Sequence, residues 1–275
     1  MRDLWINLTT CELSSEQSDK EGEVVFTTAM TGYQEICTDP SYHGQMVVLT
    51  YPLVGNYGIN ENAIESRKPW LSALIVSDLC EEYNHWNATE SLISYLIRHN
   101  IVGMADVNTR ALTRHLRTYG TKRGFIRVYG DEKQPDEEKL IRLSKSVKSV
   151  FVQDVVEEVS LSSISSWPYS LCSGQVNTVA ESVPLSIRAA RRKVIIIDTG
   201  FKENIARCLT SFNLEVLLVP FKTSFHDLLA LRPDGILLPN GPGDPVTLRA
   251  LIEVTQRLIP SGIPLMGICL GHQII

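Results

Sequence analysis

The second half of the chain alternates short apolar runs with amphipathic stretches. Four of the runs have the length and the branched apolar side chains of buried strands, and they lie at residues 194–198, 215–220, 235–239 and 264–268. Between them, apolar residues recur at helical spacing, which predicts helices over 202–212, 224–231 and 244–258. Nearly continuous apolar strands that are separated by helices predict a parallel sheet with helices on both faces.

The first half contains the same kinds of element in a less regular order. Clusters of β-branched and aromatic residues predict strands over 23–30, 45–51, 71–76 and 124–129. Helical spacing predicts helices over 90–99, 109–119 and 136–150, and glycine and proline place loops at 31–42 and 52–60. Asn108 can cap the helix over 109–119, and Gly120 can end it. The pattern indicates a mixed α/β domain.

A stretch between the two halves differs from both. Residues 160–192 are rich in serine, and their few charges are mostly in a short basic run at the end. This is the composition of a linker. We therefore predict an N-terminal domain over 1–159, a linker over 160–192 and a C-terminal domain over 193–275.

Charge and cysteine content narrow the class of protein. The formal net charge of −5 argues against a nucleic-acid partner, which favours a basic surface. The six cysteines are scattered, without a Cys-x-x-Cys pair or a Cys/His cluster at zinc spacing, so we expect a reducing compartment and no metal site. We find no signal-peptide pattern and no apolar run of membrane-spanning length. A cytoplasmic protein without a membrane partner is expected.

The most informative stretch is Gly267-Ile268-Cys269-Leu270-Gly271, directly after the last apolar run. Small residues two positions before and after a nucleophile are typical of a sharp strand-to-helix turn that exposes the nucleophile at its tip. The start of the following helix favours the thiolate, and the amide of Leu270 can donate to a developing oxyanion. The alternative is a buried, inert cysteine at a strand end, which would be favoured for an isolated cysteine.

A second loop follows the strand predicted over 235–239. It reads Asn-Gly-Pro-Gly-Asp-Pro at residues 240–245. In parallel sheets, ligands bind outside the carboxyl ends of the strands, so this loop and the cysteine turn are expected at one sheet edge. The amides of Gly241 and Gly243 could complete an oxyanion hole with that of Leu270. An ordinary tight turn before a capped helix is the alternative.

Together these two loops resemble those of the class I, triad-type glutamine amidotransferases. The N-terminal half resembles one family more closely, the small subunit of carbamoyl phosphate synthetase. The segments that carry this resemblance are GEVVF at 22–26, MTGYQEI at 30–36, TDPSY at 38–42, TYP at 50–52, Gly55-Asn56, Asp106 and TRALT at 109–113. The resemblance runs from about residue 21 to residue 275.

The resemblance implies the fold class and the activity. The fold would be α/β, with a mixed α/β N-terminal domain followed by an incomplete class I glutamine amidotransferase domain, a flavodoxin-like parallel sheet with helices on both faces. The subunit would hydrolyse L-glutamine and pass ammonia to a large subunit, which makes carbamoyl phosphate for arginine and pyrimidine synthesis. No cofactor is expected on this subunit, because ATP and Mg²⁺ would belong to the large subunit.

The resemblance also implies roles for individual residues. Cys269 matches the nucleophile that forms a glutamyl thioester, and the amides of Leu270 and Gly241 match the oxyanion hole. The residues that match glutamine contacts are Ser41, Gly241, Gly243, Leu270 and Gln273. On sequence alone Ser41 would be interpreted as a turn residue. His272 is not expected to be the general base, because the helix start directs it away from the sulfur.

Some features of the family pattern are missing. The histidine and glutamate of the triad match no position up to residue 275, and residues 1–20 lack the usual first strand. We therefore expect a fragment of a longer subunit, inactive as given. One alternative is a non-catalytic module that only binds the large subunit. Another is a glutaminase for a different synthetase, against which residues 32–60 argue.

Overall fold

A computed structural model describes residues 19–127, 136–147, 155–167 and 191–275 of the chain. The chain divides between Val150 and Phe151 into two compact units. Within the described ranges, no helix is both long enough and apolar enough to cross a bilayer. The domain limits expected at 159/160 and 192/193 stay a prediction.

The first unit is built on a five-stranded sheet, with a short two-stranded sheet beside it. Its strands are β1 (Lys20–Thr27), β2 (Met46–Leu49), β3 (Leu53–Val54), β4 (Ala73–Ile75), β5 (Asp78–Leu79), β6 (Val102–Met104) and β7 (Lys122–Ile126). The order in the larger sheet is β6-β4-β2-β1-β7. All neighbours in it are parallel except β7, which runs antiparallel to β1.

Apolar side chains cover both faces of this sheet. The helices are α1 (Tyr33–Thr38), α2 (Leu92–Arg98), α3 (Thr109–Tyr119) and α4 (Glu137–Ser146). Because side chains alternate along a strand, Val47 belongs to one apolar cluster with residues of α1 and α2. Its neighbour Val48 belongs to another with Leu116 of α3. The mixed α/β class predicted for this half is confirmed.

Helix capping explains why one prediction for the first unit succeeded and another failed. The helix over 109–119 has the predicted limits, with the Asn108 side chain accepting from the Ala111 amide at 3.0 Å. The loop predicted over 31–42 is wrong, because α1 and a 3₁₀ turn at Pro40–Tyr42 form there. The hydroxyl of Tyr57 accepts hydrogen bonds from the amides of Gly32 and Tyr33, at 2.7 and 3.1 Å. A cap from a residue so distant in sequence leaves no local signal.

The second unit also contains a five-stranded sheet. Its strands are β8 (Ser165–Ser166), β9 (Lys193–Asp198), β10 (Glu215–Pro220), β11 (Gly235–Leu238) and β12 (Leu265–Gly267). Its helices are α5 (Val156–Val159), α6 (Glu203–Ser211), α7 (Phe225–Ala230), α8 (Arg249–Leu258) and α9 (Leu270–Ile274). The order is β12-β11-β9-β10-β8, and only β8 is antiparallel.

Helices pack on both faces of this sheet, as predicted. Ile195 and Ile197 point into a cluster with Leu228 of α7 and Leu251 of α8. Ile196, between them, points into a cluster with Ala206 of α6. All three isoleucines are buried, which explains why their strand is apolar without alternation.

Two details of the second unit differ from the prediction. The helix over 244–258 is interrupted: Asp244 caps a 3₁₀ turn at Pro245–Thr247, and α8 begins only after Leu248, whose ψ of 47° is not helical. The last strand is not buried, because β12 is an edge strand of the described sheet and Met266 is 58% exposed. Ser224 caps α7, since its side chain accepts from the Asp227 amide at 3.2 Å, and the helix predicted over 224–231 forms as Phe225–Ala230.

The strand order creates a topological switch point at one edge of the sheet. From β9 the chain passes to β10 on one side and then returns to β11 on the other side. The connections that leave β9 and β11 therefore diverge at the carboxyl edge. Such a switch point is where ligands bind in open α/β sheets.

Burial in the core of the first unit predicts that Cys37 reacts more slowly with alkylating agents than an exposed cysteine does. Cys37 has no exposed surface, and burial, with a contribution from Glu35, raises the pKa of its thiol to about 12. Because the thiolate is the reactive form, we expect iodoacetamide to leave Cys37 unmodified in the native protein and to modify it after denaturation. Peptide mapping by mass spectrometry measures this, with the exposed Cys208 as the control. Native labelling of Cys37 at the rate of Cys208 would contradict this core.

Candidate active site at the carboxyl edge of the second sheet

Cys269 lies at the tip of a sharp turn between β12 and α9. Its backbone has φ of 51° and ψ of −109°, a combination that few L-residues adopt, and its side chain is exposed. Strained backbone at an exposed nucleophile is a feature of strand–nucleophile–helix elbows. The conformation therefore favours the functional interpretation of Cys269 over an inert buried cysteine.

The two flanking glycines are required by close backbone contacts. A Cβ atom on Gly267 would lie 2.6 Å from the carbonyl carbon and oxygen of Gly271. A Cβ atom on Gly271 would lie 2.0 Å from the carbonyl oxygen of Leu238, at the end of β11. Both distances are far below van der Waals contact, so the turn closes only because these positions lack a side chain.

Backbone hydrogen bonds attach the turn to the neighbouring strand. The amide of Ile268 donates to Leu238 O at 2.9 Å, and that of Gly271 donates to Pro239 O at 3.0 Å. The Leu270 amide, between them in the turn, forms no hydrogen bond with another described residue. An amide without an internal acceptor beside the sulfur can donate to a ligand.

The loop at residues 240–245 lies against the same turn. A Cβ atom on Gly241 would lie 2.2 Å from the carbonyl oxygen of Thr199 and 2.9 Å from Cδ2 of Leu270. Gly241 is therefore packed between the loop after β9 and the residue that follows the cysteine. Gly243 has φ of 84° and is half-buried. The structure brings together the two loops that the sequence placed at one sheet edge.

Buried polar residues that sequence reasoning missed hold these loops in place. Asp198, at the end of β9, accepts from the amides of Gly200 and Phe201 through Oδ1, at 2.9 and 3.3 Å. Its Oδ2 accepts from the amide of Leu161 at 2.7 Å. The carboxylate thus fixes the loop that follows β9. The sequence did contain one signal for this role, which is a polar residue, Asp198, at the end of an otherwise apolar strand.

Asn240 links the loop after β9 to the loop after β11. Its Oδ1 accepts from the Lys202 amide at 3.1 Å, and its Nδ2 donates to Gly200 O at 3.1 Å. Its carbonyl oxygen accepts from the Thr199 hydroxyl at 2.9 Å. Since Asn240 and Thr199 are almost fully buried, these bonds are shielded from water and hold Gly241 in register.

The remaining predicted site residues occupy different surroundings. Gln273 and His272 are exposed on α9. The backbone N–H of Gln273 donates to Cys269 O at 3.1 Å. Ser41 belongs to the first unit, in the 3₁₀ turn Pro40–Tyr42, where its amide donates to Asp39 Oδ1 at 2.9 Å. The roles assigned to these residues stay a prediction.

One ionisable group shortly after the loop that follows β9 has a shifted pKa. Burial raises the pKa of Glu203, in the first turn of α6, although the guanidinium of Arg207 at 2.7 Å opposes the shift. Among the described residues, no group of three or more His, Cys, Asp or Glu side chains could hold a metal ion. The chemistry that this edge offers is that of an exposed thiol beside backbone donors.

Such an arrangement suits acyl transfer through a thioester. An exposed sulfur can attack a carbonyl carbon, and adjacent N–H groups can stabilise the oxyanion that forms. The small residues around it let the backbone approach a substrate closely.

Each of the two units matches a known protein family. Residues 7–126 match the family profile described as carbamoyl-phosphate synthase small chain, CPSase domain. Residues 195–275 match the profile described as glutamine amidotransferase class-I. The second match includes both loops of the candidate site.

Relatives in several bacteria carry the name carbamoyl phosphate synthase small chain. The protein of Symbiobacterium thermophilum is 41% identical over 254 residues, which is 92% of this chain and 64% of the relative. Those of Haemophilus ducreyi and Pasteurella multocida are 42% and 43% identical over 92% of this chain, and 66% and 63% of their own lengths are covered. This chain thus spans just under two thirds of the length of these relatives. The chain belongs to the carbamoyl phosphate synthase small-chain family and contains a class I glutamine amidotransferase domain.

Proposed function

We propose that this chain is the glutamine-hydrolysing component of a carbamoyl phosphate synthase. It would release ammonia from L-glutamine and supply it to a large synthetase subunit that makes carbamoyl phosphate in the cytoplasm, for arginine and pyrimidine synthesis. ATP and Mg²⁺ would act on that partner. The observation that carries the proposal is the strained, exposed Cys269 between two glycines that tolerate no side chain.

The first chemical step would form a thioester. The deprotonated sulfur of Cys269 attacks the side-chain amide carbon of glutamine, the C–S bond forms, and the carbonyl oxygen becomes an oxyanion. The amides of Leu270 and Gly241 would donate to that oxyanion. Its collapse breaks the C–N bond, and the nitrogen leaves as ammonia after taking up a proton. Water then cleaves the thioester and releases glutamate.

Several residues would position the substrate. We assign glutamine contacts to Gly241, Gly243, Leu270 and Gln273 at the carboxyl edge of the second sheet. We also assign a glutamine contact to Ser41, an assignment that rests on the family resemblance alone.

Proton transfer needs a general base, and His272 is not our candidate. We assign the base to a histidine, paired with a glutamate, that the family resemblance implies beyond residue 275. Residues 1–275 alone would then hydrolyse glutamine slowly, since removing one triad member typically lowers turnover by roughly 10⁴-fold.

Replacing the proposed nucleophile tests the proposal. In the natural gene product co-expressed with its synthetase subunit, we expect Cys269→Ser to reduce ammonia release from L-glutamine by at least roughly 10⁴-fold. The cause would be loss of the thioester rather than loss of folding. Carbamoyl phosphate synthesis from added ammonia should continue.

Cys208→Ser is the matched control, because Cys208 is also an exposed cysteine of the second unit. It should leave ammonia release unchanged. Glutamine hydrolysis that survives Cys269→Ser would refute the proposed role. Complex formation without any glutamine hydrolysis by the unmodified protein would favour the non-catalytic binding module instead.

A second prediction concerns the turn itself. Gly271→Ala places a Cβ atom 2.0 Å from Leu238 O, so the backbone around Cys269 must move. We expect the free energy of unfolding to fall by about 1–3 kcal/mol, as it does when a core is overpacked. Glutaminase activity should be lost as well. Urea denaturation and an ammonia assay measure the two effects.

Gly235→Ala controls for the replacement of a glycine in the same unit. The Cβ atom added there would have its nearest contact at 3.7 Å, an ordinary van der Waals distance. If Gly271→Ala were as stable and active as Gly235→Ala, the close approach of the turn to β11 would not be a requirement.

A further inference from the structure

A basic segment stands out in an otherwise acidic chain. Residues 107–127 contain six arginine or lysine residues and no aspartate or glutamate, whereas the whole chain has a net charge of −5. Half of these cations lie on α3. The proposed glutaminase chemistry uses none of them.

Three arginines of α3 share one exposed face. With about 100° between successive residues of a helix, Arg110, Arg114 and Arg117 fall within an arc of about 60° and span about 10 Å along the axis. All three are exposed, and the buried residues Thr109 and Leu116 lie on the other side of the helix. We call Arg110, Arg114 and Arg117 the arginine face.

The arginine face has no acidic partner within the described part of the chain. Ion pairs in that part of the chain include those of Arg98, Arg127, Arg207 and Lys222, none of which belongs to this face. Tyr119 lies at the end of the same helix and is 65% exposed.

Helix stability does not account for this arrangement. Arg110 lies in the first turn, where the helix dipole disfavours a positive charge. Arg110 and Arg114 are four residues apart, a spacing at which like charges repel. Both placements lower the stability of the helix. Favourable binding of these arginines to another molecule would explain why they are present.

We propose that the arginine face of α3 docks an acidic surface of the synthetase subunit, an inference that rests on the proposed function. Arginine binds carboxylates with two parallel hydrogen bonds, and arginine and tyrosine are enriched among the residues that dominate protein interfaces. A nucleic acid is the less suitable occupant, because the net negative charge of the chain repels a polyanion at long range. The matching surface would present carboxylates over about 10 Å, the length of two helical turns.

Charge reversal on this face provides the test. The dissociation constant of the complex between the chain and the synthetase subunit of the same organism is measured by biolayer interferometry at low and high salt. We expect Arg114→Glu with Arg117→Glu to raise the constant by about 10- to 100-fold at low salt, as when close interfacial charge pairs are lost. The difference should shrink at high salt, because salt screens exposed charges.

Arg232→Glu with Arg249→Glu is the matched control, since both arginines are exposed in the second unit and the change in net charge is the same. This variant should bind like the unmodified chain. Circular dichroism verifies that both double variants fold, and Arg114→Gln with Arg117→Gln, which adds no negative charge, should give an intermediate loss of affinity.

The inference fails if the α3 variant binds as tightly as the unmodified chain, or if the control variant is weakened equally. It also fails if only binding to a DNA or RNA oligonucleotide changes. If the unmodified chain does not bind the synthetase subunit at all, the proposed function fails first, so the two failures are distinguishable.

Discussion

The close approach of the cysteine turn to the end of β11 is the constraint on which the candidate site depends. A carbonyl of β11 occupies the space that a Cβ atom on Gly271 would need, and two backbone hydrogen bonds attach the turn to this strand. This contact leaves Cys269 little choice of backbone conformation. The unusual φ and ψ of Cys269 are therefore imposed by the sheet edge, and the exposed sulfur is a consequence.

A second layer of interactions fixes the loops opposite the turn. Asp198, Thr199 and Asn240 are buried polar residues whose side chains form hydrogen bonds with backbone groups of neighbouring loops. Buried polar groups of this kind are costly unless they are satisfied, so they specify one arrangement of the loops. Their effect is to hold Gly241 against Leu270, the two residues whose amides we assign to the oxyanion.

Much of this could be predicted from the sequence, because local patterns and local contacts agree. The apolar run around Ile196 and the caps Asn108 and Ser224 depend on residues close in the chain. The cysteine turn could be predicted for the same reason, since its glycines lie within two residues of Cys269. The helix α1 could not, because the Tyr57 hydroxyl that caps it is more than twenty residues away. The exposure of Met266 could not be predicted either, because it depends on the position of β12 at the sheet edge. The role assigned to Ser41 comes only from the family resemblance.

The most direct test of the central claim is the covalent capture of Cys269 by a glutamine analogue that carries an electrophilic ketone at the amide carbon. Intact-mass and peptide analysis of the natural gene product should show one adduct, on Cys269, whose formation L-glutamine slows. Adducts distributed equally over Cys269 and Cys208, or an adduct on Cys269 that L-glutamine does not slow, would contradict the assignment of this edge as a glutamine site.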